Sequence, residues 1–170
     1  MKKACILLVA LVFVIGWSSL LFGQEKTERK DIPDRGFMMS AARDGIFHVE
    51  AGKLAVQRGA TEGVKKFGQH AIEHHTQIND ELAQLASKKG VTLPKKMDKK
   101  EQEALDKIAK LSGPDFDKAY LEMEIRDHSK DLSAFQKEVK GGKDPDVKAW
   151  AAKSIEAIEE HLKMARDLSK

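Results

Sequence analysis

Residues 61–90 read TEGVKKFGQHAIEHHTQINDELAQLASKKG. Val64, Phe67 or Gly68, Ala71, Ile78, Leu82 and Leu85 recur there at three- and four-residue steps, the spacing that puts side chains on one stripe of an α-helix. Thr61 is a good helix N-cap, and Gly90 tolerates the left-handed conformation in which many helices end. The stretch therefore predicts one long amphipathic helix between them. The slot between Ala71 and Ile78 is filled by His75, where a leucine would be usual.

The same pattern extends in both directions. Upstream, Met38, Ala41, Gly45, Gly52 and Ala55 predict a first helix from about Asp34 to Arg58, closed by Arg58-Gly59-Ala60 and so paired with the next helix in a tight hairpin. Downstream, a long connection contains Pro94 and a short helix capped by Asp98, with Glu101 in the capping-box position and Leu105, Ile108 and Leu111 as its apolar side. Gly113-Pro114 opens a third long helix whose stripe is Leu121, Ile125, Leu132, Phe135 and Val139, and Gly141-Gly142 ends it. Asp144-Pro145 is a cap and first-turn pair for a fourth, with Val147, Ala151, Ile158, Ala165 and Leu168 as its stripe. The expected fold is all-α: a ferritin-like four-helix bundle, two helical hairpins joined by a long connection containing a short extra helix. A single long crossover is the connectivity of ferritin-type bundles.

The chain has 170 residues, 34% of them charged, which suits one compact core. Its start, Lys2-Lys3 followed by an apolar run from Ala4 to Phe22 and the polar Gln24-Glu25-Lys26, has the layout of a secretory signal. Residues 1–23 are therefore expected to be a signal peptide, 24–33 a charged linker and 34–170 the bundle, with the protein in the periplasm or cell envelope. Leu21-Phe22-Gly23 is a poor cleavage site and the apolar run is nearly long enough to span a bilayer. Cleavage near Gly23 is favoured, and membrane attachment is expected only if the segment stays uncleaved. Cys5, the single cysteine, lies at the start of the apolar run, so the part after Gly23 has neither thiol nor disulfide. Removing Lys2 and Lys3 from the net charge of +3 leaves +1, and no strong field points to nucleic acid. Lys88-Lys89, Lys95-Lys96 and Lys99-Lys100 read as a solvated face rather than a dock for anionic lipid or an acidic partner.

All six histidines follow the leader. His48 lies between Gly45 and Gly52, His75 between Ala71 and Ile78, His128 between Ile125 and Leu132, and His161 between Ile158 and Ala165, each in a heptad-like slot. Counted from their turns, all four fall roughly 18–24 Å along their helices at 1.5 Å per residue, one level near the bundle centre. Nitrogen ligands converging from separate helices are what zinc, copper, nickel or iron require. His48, His75, His128 and His161, with Glu50 two residues beyond His48, form the candidate metal set. Asp44 and Glu124, four residues before His48 and His128, are placed to hold the second ring nitrogens. The alternative is a set of core histidines satisfied by Asp44, Glu124, Ser154 or water. His70 and His74 form an i, i+4 pair that reads as solvated beside Lys65 and Lys66 rather than as a chelate.

A family resemblance rests on Ala41-Ala42-x-x-Gly45, Val49-Glu50-x-Gly52-x-Leu54-Ala55, His75-Thr76-x-x-Asn79-x-x-Leu82, Leu93-Pro94, Ser112-Gly113-x-x-Phe116-Asp117-x-x-Tyr120 and His161-Leu162-x-Met164-Ala165. In combination these resemble the bacterial family called domain of unknown function 4142, exported proteins with a ferritin-like fold, over nearly all of the chain after the leader. The resemblance implies histidine at positions 75, 128 and 161. It also marks two departures: His48 stands where an acidic residue is usual, and His74 replaces the acidic neighbour of His75. The family has no established activity. Di-iron oxidases of ferritin-like fold carry Glu-x-x-His motifs. The residues three before the six histidines are Gly45, Phe67, Ala71, Ile72, Ile125 and Ile158, none acidic, which argues against oxidase or ferroxidase activity. No phosphate loop or nucleophile elbow is present either. Two readings remain, an envelope protein binding one transition-metal ion through core histidines, and a non-enzymatic structural or stress-related bundle acting through unidentified protein partners.

Overall fold

The computed structural model describes residues 32–170. The expected signal peptide and nearly all of the charged linker lie outside the described residues. The described chain is all-helical: α1 (Arg35–Arg58), α2 (Glu62–Lys88), α3 (Lys99–Ile108), α4 (Gly113–Gly141) and α5 (Pro145–Leu168). Its four long helices form a bundle of two antiparallel hairpins, α1 with α2 and α4 with α5. The hairpins meet along α2–α5 and α1–α4, while α3 touches α1 and α4. No helix among the described residues is long and apolar enough to cross a membrane.

Local chemistry sets the boundaries. The Thr61 side chain accepts from the Val64 N–H and starts α2. At the other end Gly90, at φ 68°, makes a Schellman-type close in which Val91 N–H donates to Ala86 C=O at 2.8 Å and Gly90 N–H to Ser87 C=O at 3.1 Å. Asp98 and Glu101 form the reciprocal capping box of α3, and Asp144 accepts from Asp146 and Val147 N–H ahead of Pro145. Two further carboxylates hold the turns. Asp117, on α4, accepts from Ala60 N–H, Thr61 N–H and the Thr61 hydroxyl at 2.8–2.9 Å, tying the α1–α2 turn to the other hairpin. Asp34 accepts from Lys143 and Asp144 N–H at 2.8 and 2.6 Å, tying the α4–α5 turn to the start of α1.

The buried seam departs from the expected stripe on α4. Phe116, Asp117, Tyr120, Leu121, Met123, Glu124, His128 and Phe135 are buried, whereas Ile125, Leu132 and Val139 are only partly covered. The seam runs through polar residues and so escapes apolar periodicity. On α5, Trp150, Ser154, His161 and Leu162 join the core, while Leu168, expected on the stripe, is 39% exposed. The apolar core has two parts. One is built on Phe47, Phe67, Phe116, Tyr120 and Ala165, the other on Met38, Leu82, Phe135, Trp150 and Ile158. On α2, α4 and α5 a histidine lies between the residues that feed these two clusters, and on α1 His48 directly follows Phe47 at the edge of the first.

Candidate metal centre

Each long helix contributes one buried histidine to the level between the clusters: His48 from α1, His75 from α2, His128 from α4 and His161 from α5. Three of them form a closed triangle. His75 Nε2 lies 3.3 Å from His128 Nε2, His128 Nε2 lies 3.2 Å from His161 Nδ1, and His161 Nδ1 lies 3.2 Å from His75 Nε2. A tetrahedral ion with metal–nitrogen bonds of about 2.0–2.1 Å holds its ligand atoms roughly 3.3–3.4 Å apart, so the triangle has the size of three corners of such a site. Hydrogen bonds cannot satisfy it equally well. Each neutral imidazole carries a single N–H, and that of His128 is placed to donate from Nδ1, 3.1 Å from the Glu124 carboxylate and 3.0 Å from the Glu124 carbonyl oxygen. This leaves a lone pair on Nε2, facing two other ring nitrogens.

His48 stands beside the triangle, against two carboxylates. Its Nδ1 and Nε2 each lie 3.1 Å from a carboxylate oxygen, of Glu124 and Asp131 respectively, so both nitrogens donate and the ring is an imidazolium. Burial would push its pKa down, but Glu124 and Asp131 outweigh burial and hold it well above the ordinary histidine value. Glu124 is the reciprocal case: burial would raise its pKa, and His48 with His128 holds it below the usual carboxylate range. His48, His75 and His128 offer nitrogens within 4.8 Å of one another, and in this arrangement both nitrogens of His48 lie against carboxylates. Its ring stacks on that of His75, with centroids 4.6 Å apart and planes at 17°.

Three expectations are corrected. Glu50 does not join the cluster: two residues from His48 it is about 200° round the helix, where it is 43% exposed and bonded to Lys53 at 2.7 Å. Asp44 does not hold His48; Asp131, which the sequence reading missed, takes that place from the neighbouring helix. Ser154 donates to the Trp150 carbonyl oxygen at 2.9 Å instead of to a histidine. Glu124 does hold His128 as the spacing suggests, and it holds His48 as well.

The triangle suits a cation in other respects. Burial, with the charge of His48 adding, pushes His75 well below its ordinary pKa. Burial brings His161 down to about 2. Both rings are therefore neutral, the form that binds metals. A separate cavity of about 20 Å³ beside the triangle, lined by Asp44, His48, His75, Asp131 and Ser154 but by neither His128 nor His161, has room for about one water.

The His70–His74 pair is not the solvated pair its lysine neighbours suggested. The two side chains are 28% and 34% exposed, but His70 Nε2 and His74 Nδ1 are buried atoms without hydrogen-bond partners, as is His161 Nε2. His70, His74 and His161 each offer one ring nitrogen within 4.8 Å of those of the other two. The only available sequence signal was the shared helix face of His70 and His74, because their partner lies on α5.

Among known families, one family model, described as Domain of unknown function (DUF4142), matches residues 22–168. No curated protein matches the chain, and no solved structure does.

Proposed function

Since the chain belongs to the DUF4142 family, whose description assigns no activity, we propose a function from the site itself: an exported, cell-envelope bundle that binds a transition-metal ion through His75 Nε2, His128 Nε2 and His161 Nδ1. The observation that carries this reading is the closed nitrogen triangle with edges of 3.2–3.3 Å. Three imidazoles suit zinc, copper, nickel or iron, and copper(II) leads in intrinsic affinity for nitrogen sites. Glu124 orients His128 through its second nitrogen, and the carboxylates of Glu124 and Asp131 offset the positive charge of His48 beside the ion. Export rests on the charged start and apolar run before Gln24.

The test is elemental analysis of protein purified without chelator and challenged with metal, beside the His75→Ala/His128→Ala double variant. Metal in the wild type and the loss of one ion per chain in the variant is the expected result. A folded, metal-challenged wild type without metal overturns the proposal and leaves a bundle acting through protein contacts.

A further inference from the structure

We infer that the bundle carries a second metal site, formed by His70 Nε2, His74 Nδ1 and His161 Nε2 at the α2–α5 face, and that His161 bridges the two ions as an imidazolate. The bridge rests on the metal reading of the core triangle; the second site stands on its own geometry.

His70, His74 and His161 each carry an unpartnered, buried ring nitrogen, and the three residues offer ring nitrogens within 4.8 Å of one another. Buried polar atoms in a native fold almost always have partners, and three such orphans facing one another call for a shared one. The ring centroids of His70 and His74 are 3.9 Å apart, and each is 5.2–5.3 Å from that of His161. Glu160 adds a carboxylate, with Oε1 3.4 Å from His70 Nε2 and Oε2 3.9 Å from His74 Nδ1. Its oxygens are in ion-pair range without making a hydrogen bond, so they are free to act as an anionic fourth ligand. Three imidazoles and a carboxylate suit a divalent ion of the zinc or copper kind. The His70 and His74 rings are partly exposed and can turn to close on an ion.

The two sites share one ring. His161 gives Nδ1 to His75 and His128 in the core and leaves Nε2 at the α2–α5 face. With an ion on each nitrogen, the one remaining N–H proton of this imidazole is released to solvent. The ring becomes an imidazolate, as a bound cation acidifies its ligands. No electron is transferred and no other bond is broken. His161 itself is fully buried, so packing holds the bridge in place.

Copper(II) titration followed by electron paramagnetic resonance tests the inference, using the wild type and a His70→Ala/His74→Ala variant. The replaced side chains are partly exposed, and circular dichroism checks that the variant folds. The wild type is expected to take two ions per chain, and spin coupling through the shared ring should reduce its low-temperature signal well below that of two isolated ions. The variant is expected to take one ion and give its full signal. One ion in both proteins overturns the second site and leaves the core site standing, whereas no ion in the wild type overturns both. Two ions with an undiminished signal overturn the bridge, and two coupled ions in the variant overturn the assignment to His70 and His74.

Discussion

Glu124 is the residue on which the centre turns. It is fully buried, and one oxygen, Oε2, lies 3.1 Å from both His48 Nδ1 and His128 Nδ1, so it fixes the proton of His128 away from the triangle. Glu124→Gln keeps the shape and removes the charge; affinity for the core ion should fall roughly 10–100-fold, as for other partners of metal-bound histidines. Isothermal titration with zinc measures this. Asp44, close by, is raised to about 7 from 3.8, mainly by burial and then by the charges of Asp131 and Glu101. The folded state thus binds this proton more tightly than the unfolded chain, and stability declines as pH rises through that window. Asp44→Asn should therefore be more stable than wild type at pH 8, with the advantage shrinking as pH falls and gone below about 4. Thermal melts in chelator across that range decide it, and an advantage that does not vary with pH refutes the assignment.

At the scale of elements, α1 and α2 touch backbone to backbone at Gly52 and Gly68. A Cβ on Gly68 would lie 2.7 Å from both the Ala55 Cβ and the Gly52 carbonyl oxygen, and neither is the end of a flexible side chain. Gly68→Ala should cost on the order of 1–3 kcal/mol by overpacking, despite alanine's better helix propensity; urea denaturation measures the difference. Helix ends were legible because caps are local: Thr61, Gly90, Asp98 with Glu101, and Asp144-Pro145 act within a few residues of themselves. The face of α4 was not. Its seam passes through Asp117, Glu124 and His128, and a search for apolar spacing moves to Ile125, Leu132 and Val139 beside it. Polar residues are buried here because partners on other helices satisfy them, which no single-helix pattern records.

In the whole molecule, a polar layer divides two apolar clusters and gathers one histidine from each long helix. An ion bound there is bound by the folded state alone, so metal and stability are linked. At one hundred times its Kd such an ion adds about 2.7 kcal/mol, which for a bundle of this size raises the melting temperature by roughly 10 °C. Calorimetry with and without a strong chelator should show that shift in the wild type and not in His75→Ala/His128→Ala. The sequence by itself determined the helices, their ends, the crossover and the common depth of His48, His75, His128 and His161, because capping and rise per residue are properties of a short stretch of chain. Only the tertiary structure decided which ring nitrogens meet, that Asp131 rather than Asp44 holds His48, that Glu50 faces water, and that His70 and His74 turn toward His161. Those outcomes depend on how each helix is rotated against its neighbours, and that rotation is set by packing across all four at once.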